Sequence, residues 1–189
     1  DACNLAHRAR AIGDAAMHER ARVAIADLLE QYDATDGDGH AHPAWARPNQ
    51  RAMAQSALGD IEAAVRTEAV ALRYADTPRR VVVSAGNIAD RLIRLDRADE
   101  AIDYIVRAWN AAPTSVPVMI TAARAFYLTG QPAESEAIFA ELAEIASLHG
   151  PDSDLAAALR HEHGLSEMAA ECPSLRSLFD WLDAVEAGS

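Results

Sequence analysis

The sequence predicts an all-α fold made of stacked helix-turn-helix units. Three observations lead there. Five segments open an inter-helical turn in nearly the same way: Gly13-Asp14-Ala15-Ala16, Gly59-Asp60-Ile61-Glu62-Ala63-Ala64, Asp96-Arg97-Ala98-Asp99-Glu100-Ala101, Gly130-Gln131-Pro132-Ala133-Glu134-Ser135 and Gly164-Leu165-Ser166-Glu167-Met168-Ala169. The last three recur at 34-residue spacing, a period belonging to stacked helical hairpins. The third observation is composition. Half of the 189 residues are hydrophobic but only 5% are aromatic, and 43 are alanine, which favours helices with close, smooth interfaces. The length suits one domain or one moderately long stack.

The elements follow in order of clarity. From Val81, the residues Ile88, Ala89, Leu92 and Leu95 fall on one face of a helix. A turn at Asp96 follows, where Asp tolerates the left-handed conformation usually supplied by Gly. The next helix carries Ala101, Tyr104, Ile105, Ala108 and Trp109 on one stripe, and Pro113 stops it. Adding 34 gives Ala122, Ala123 and Phe126, then Gly130, then Ser135, Phe139 and Leu142. A further 34 gives Ala156, Ala157, Gly164 and Ala169, and there the copy degrades at Pro173. Ser174 is placed as the N-cap of a final helix with Leu175, Leu178, Phe179, Leu182 and Val185 as its apolar face. This is the expected terminal cap of the stack.

Upstream, Ala64 and Ala71 stand 37 residues before Ala101 and Ala108, the extra residues falling in the Thr77–Arg80 connection. Residues 1–34 are expected to form an N-terminal helix pair around Gly13. A loop is expected over 35–48, whose Gly, Asp, His and Pro content opposes regular structure. Three repeats then cover 49–149, and 150–189 holds a degenerate repeat plus the capping helix, all within a single domain.

Val82–Ser115 resembles a tetratricopeptide repeat: small Ala89 in the first helix, Ala101 and Ala108 in the second, Pro113 closing the unit. Val116–His149 resembles a second copy, with Ser135 and Leu142 replacing two small residues, and Trp45–Pro78 a more divergent third. The N-terminal pair and Gly150–Pro173 match less closely. The resemblance implies a right-handed superhelical solenoid of antiparallel helix pairs whose first helices line a concave groove. Asn49, Met53 and Ser56 would face that groove from one repeat, Asn87, Asp90 and Arg94 from the next, and Ile120, Arg124, Tyr127 and Leu128 from the third. The partner-binding set drawn from these is Asn49, Met53, Asn87, Asp90, Arg94, Arg124 and Tyr127. Asn amides suit a peptide backbone and Arg suits a carboxylate. The alternative is that Tyr127 and Leu128 are core and that Arg94 pairs with a neighbouring acid. Met53, Ala57 and Gly86 stand where a chaperone-tail clamp would need polar residues, which argues against a co-chaperone.

Charge and motifs narrow the function classes. The net charge is −12 and all 17 basic residues are arginine, against a nucleic-acid partner. Without lysine there is no Schiff-base enzyme and no phosphate loop. No nucleophile elbow, Cys-x-x-Cys or dinucleotide-binding glycine loop occurs, so no enzymatic activity and no cofactor are expected. A metal could be held by His40 and His42 with Asp36 or Asp38 assisting. A solvated loop is the preferred reading there, and a metal-responsive role for Asp33–His42 the alternative. His161-Glu162-His163 is a poorer metal candidate, because residues two apart on a helix diverge. Cys3 and Cys172 are expected to be unpaired thiols, and no signal peptide or membrane-spanning run is seen. These point to the cytoplasm and against membrane insertion. The start at Asp1 rather than Met implies upstream sequence, so a sensor or oligomerisation segment of a larger chain is a further alternative. The class expected is a protein-interaction module for a peptide or partner helix.

Overall fold

The computed structural model describes residues 12–34, 43–146, 154–161 and 164–187, with Ala6, Ala9 and Leu148. Every regular element among them is an α-helix: α1 (Ala15–Ala34), α2 (Pro43–Leu58), α3 (Ile61–Arg73), α4 (Pro78–Ile93), α5 (Ala98–Ala111), α6 (Val116–Leu128), α7 (Pro132–Ala146), α8 (Asp154–His161), the single turn α9 (Leu165–Met168) and α10 (Pro173–Ala187). They fall into two compact units, Asp1–Leu95 and Asp96–Ser189. The boundary runs through the Asp96 turn, inside the segment that most resembles a tetratricopeptide repeat.

The five recurring segments share one backbone event. Gly13, Gly59, Asp96, Gly130 and Gly164 all have positive φ, from 58° at Asp96 to 92° at Gly59. At Gly59 the consequence is explicit. Its N–H donates to Ser56 O at 3.1 Å and Asp60 N–H donates to Gln55 O at 2.9 Å, the two bonds of a Schellman helix stop. Gly130 and Gln131 repeat them onto Tyr127 O and Phe126 O at 3.1 and 2.8 Å. The residue after the glycine then starts the next helix. Asp60 Oδ1 accepts from Ala63 N–H at 3.1 Å, and Asp14 Oδ1 from Met17 N–H at 2.8 Å, which satisfies an orphan donor of the first turn. Gly-Asp therefore ends one helix and begins another within two residues.

In the N-terminal unit α2 packs on α3 and α3 on α4. The contacts are made largely by alanine: Ala46, Ala52, Ala57, Ala64, Ala71, Ala85 and Ala89 are all buried. α1 sets Ala21 and Ile25 against Ala54 and Ala57 of α2. The expected loop over 35–48 is shorter at its C-terminal end, because α2 already begins at Pro43 and contains Pro48. Pro43 occupies the first helical position, where its missing N–H is harmless. Trp45 anchors the segment by donating Nε1–H to Ser84 Oγ at 3.0 Å while Arg80 lies 5.4 Å from its ring centroid. These contacts offset part of the roughly 3 kcal/mol that an interior proline costs.

The C-terminal unit has larger side chains in its core. Met119, Ile120, Phe139, Leu142, Leu155, Leu159, Leu165, Leu175, Leu178 and Leu182 form one cluster. α5 packs on α6, α6 on α7 and α8, and α10 on α7 and α8. The final helix opens at Pro173, so Ser174 is not its N-cap. Ser174 instead donates its N–H (3.0 Å) and its hydroxyl (2.6 Å) to the Glu136 carboxylate on α7. A negative charge at a helix N-terminus is favourable, so α7 caps α10 across space. Arg176 donates to Ala169 O and Ala170 O at 3.1 and 2.9 Å, closing the carbonyl end of the short α9 turn.

Two substitutions separate turn strain from space. A Cβ at Gly130 or Gly86 meets nothing within 4 Å, but only Gly130 has positive φ. Gly130→Ala is expected to destabilise the fold by about 1 kcal/mol, and Gly86→Ala, inside α4, to stabilise it by about the same amount. Urea unfolding followed by circular dichroism measures both, and equal signs would contradict the assignment.

Candidate functional site

The N-terminal unit contains a surface built by two helices that are not consecutive. Trp45 of α2 bonds Ser84 of α4, and eleven residues further along α2, Ser56 Oγ accepts from Arg94 Nη1 at 3.3 Å. Both bonds ascend the sequence together, so α2 and α4 run in the same direction, bridged by these long side chains at points about 16 Å apart along α2. Met53, one turn before Ser56, is 47% exposed. Asn87 and Asp90 lie between Ser84 and Arg94 on α4 and are half-buried. Arg94 Nη1 is 3.9 Å from Asp90 Oδ2, a loose pairing that leaves most guanidinium donors for other acceptors.

Beneath this surface lies a buried polar tie that sequence reasoning missed. Glu68 of α3 has no exposed surface. Its Oε1 accepts from Asn49 Nδ2 at 2.8 Å and its Oε2 from Arg91 Nη1 at 2.9 Å. One carboxylate thereby joins α2, α3 and α4. A buried ion pair adds little net stability, because desolvation offsets the attraction. Each oxygen is nonetheless satisfied by a donor, so any shift of register between these helices would strand a charge. The signal was present in the sequence: Glu68 falls on the same helical face as Ala64, Ala71 and Leu72, a core position where a carboxylate demands donors.

The structure divides the seven expected partner-binding residues. Met53, Asn87, Asp90 and Arg94 share the α2/α4 surface. Asn49 does not face an open groove, since it is 6% exposed and its amide is held by Glu68. Arg124 is 4% exposed. It belongs to a run from Val118 to Ala125 that is buried throughout, as in a helix surrounded by neighbours. Ile120 is buried in the same run and Leu128 is exposed. Tyr127 is half-buried in the C-terminal unit, and the Glu171 carboxylate accepting from its hydroxyl, with burial, pushes its pKa above the usual phenol value. Cys172 is a free, buried thiol. Burial pushes its pKa up, against the opposing effect of the Ser135 hydroxyl, so the thiolate needed for nucleophilic chemistry is disfavoured.

The metal candidates Asp36, Asp38, His40 and His42 lie outside the described residues, as do Glu162, His163 and Cys3. Among the described residues no three His, Cys, Asp or Glu side chains converge on a metal-sized site. No described helix is long and apolar enough to cross a membrane. No family model, curated protein or solved structure matches the chain.

Arg91→Ala, which leaves Glu68 buried beside Asn49 alone, is expected to destabilise the fold by about 3–5 kcal/mol, whereas Arg91→Met combined with Glu68→Leu and Asn49→Leu, which removes all three polar groups of the tie, is expected to come within about 1 kcal/mol of the parent. Chemical denaturation of the two variants decides it. A loss below about 0.5 kcal/mol for Arg91→Ala would mean that the tie does not hold the helices.

Proposed function

We infer that this chain is a protein-interaction module that holds an extended peptide or a partner helix against the α2/α4 surface of its N-terminal unit. The observation carrying this reading is the parallel pairing of α2 and α4 through Trp45–Ser84 and Arg94–Ser56. In helical-repeat proteins, first helices set side by side create the continuous surface on which a ligand lies. The surface mixes an exposed Met53, which adapts to varied apolar side chains, with the amide of Asn87 and the opposite charges of Asp90 and Arg94. Such a set can grip a peptide backbone, a carboxylate and an apolar side chain together. The 34-residue spacing of the later turns supports assigning a tetratricopeptide-like solenoid to the whole chain, working in the cytoplasm as an adaptor or regulatory domain.

The test needs a partner isolated by affinity capture and then measured with purified components. Met53→Asp with Asn87→Ala, which leaves the Arg94–Ser56 bond intact, is expected to weaken that partner by tenfold or more, the order of one or two interface hot spots, while the melting temperature stays near the parent's. Charge reversal at Arg124 is unsuitable because that side chain is buried. Unchanged affinity in the double variant, by calorimetric titration, removes the α2/α4 surface as the binding site.

A further inference from the structure

The other side of α2 carries a second feature. Pro43, Ala44, Arg47, Pro48 and Arg51 of α2, with Arg66, Thr67 and Val70 of α3, line an open cleft of about 550 Å³. At about 100° per residue, Arg47 and Arg51 point away from the face that holds Asn49 and Met53. The cleft is therefore separate from the α2/α4 surface. Among the described residues its lining has three arginines and no carboxylate, although acidic residues outnumber basic ones 29 to 17 in the chain. Three guanidinium groups thus meet on one cleft of an acidic chain.

We propose that this cleft docks an acidic segment of a partner protein, with Asp or Glu carboxylates of that segment pairing with Arg47, Arg51 and Arg66. The planar guanidinium matches a carboxylate in bidentate geometry. Arg47 and Arg51 each make other interactions within the chain, and five N–H donors per guanidinium allow a ligand to be bound in addition. Arg66 is paired to Glu62 only at 3.8 Å, with side-chain exposures of 70% and 50%. A solvated pair of that kind is worth little, so an incoming carboxylate can displace it. Pro43, Pro48 and the exposed Val70 supply apolar contact beside the charges. The openness of the cleft selects the occupant's size. A small anion would keep most of its surface in water, unlike ligands of enclosed pockets, whereas a peptide extends beyond the cleft over both helices.

The probe is a fluorescein-labelled Glu-Gly repeat peptide, with its Gln-Gly counterpart as the uncharged control, followed by fluorescence anisotropy at low and high salt. The Glu peptide is expected to bind, to weaken steeply with salt, and to outcompete the Gln peptide by at least about tenfold. Arg47→Gln with Arg66→Gln is expected to reduce its affinity by about tenfold or more, and Arg107→Gln on α5 to leave it unchanged. Thr67→Glu keeps all three arginines and adds a like charge to the cleft, so it is expected to weaken binding even if the double variant fails to fold. Equal binding of the two peptides, or Glu-peptide affinity insensitive to Thr67→Glu, overturns the proposal. Tighter binding of a phosphoserine-Gly repeat overturns it in favour of phosphate recognition. A dimer in sedimentation equilibrium that dissociates on Thr67→Glu overturns it in favour of a second copy of this chain. None of these results bears on Met53 or Arg94, so this site and the α2/α4 surface stand or fall separately.

Discussion

A single left-handed residue at each of the five recurring turns is the constraint on which the short helix reversals of this chain depend. A helix can reverse within two residues only if one of them takes positive φ, which allows the following amides to reach back to the last carbonyls. Gly13, Gly59, Gly130 and Gly164 do this without strain, and Asp96 does it at φ 58°. Asp is one of the few side-chain-bearing residues that visits this region routinely. With the reversal so short, the two helices must lie close from their first turn. Close helices in turn require small residues at the crossing. Alanine at 64, 71, 85, 89, 101 and 108, each with no exposed surface, follows from the turn rather than standing beside it.

Alanine interfaces have a weakness that the two units resolve differently. Small side chains bring backbones together but interlock poorly, so they leave the sliding register of neighbouring helices loosely set. In the C-terminal unit, large apolar side chains such as Phe139, Leu142 and Leu178 interdigitate in one cluster and define register by shape. The described residues of α2, α3 and α4 offer fewer large side chains to do this. There, directional bonds take over: Glu68 to Asn49 and Arg91, Trp45 to Ser84, and Arg94 to Ser56. A buried carboxylate contributes little to stability, yet it penalises every register but one, a role best attested for polar groups within helical interfaces.

This division explains what was legible in the sequence. Turn positions and apolar stripes are written locally: Gly-Asp pairs mark where helices stop and start, and Ala122, Ala123, Phe139 and Leu142 are buried as periodicity predicts. What escaped depends on partners far along the chain. Pro43–Pro48 has a loop's composition, but Trp45 finds Ser84 thirty-nine residues away and the segment becomes helical. Ser174 looks like an N-cap, but Glu136 takes that role across thirty-eight residues. Asn49 and Arg124 have the character of groove residues and occupy first-helix positions that suit one, yet both are buried. A periodicity argument identifies the face a residue occupies. It does not identify which faces are covered by a third helix.

The arginines show the same logic from the side of charge. With no lysine in the chain, every cation is a guanidinium, which is more weakly hydrated than an ammonium and carries fixed, planar donors. That chemistry lets Arg91 enter the interior against Glu68, where a mobile point charge would fix geometry less well. It also lets Arg176 close two carbonyls at the end of α9, and Arg94 join α2 to α4 while remaining half-exposed. The same side chain thus serves as core strut, helix stop and surface donor, and only its surroundings distinguish these uses. On α2 and α3 those surroundings converge: one side of α2 meets the buried carboxylate of Glu68, and the other bears Arg47 and Arg51, which with Arg66 of α3 line an open cleft.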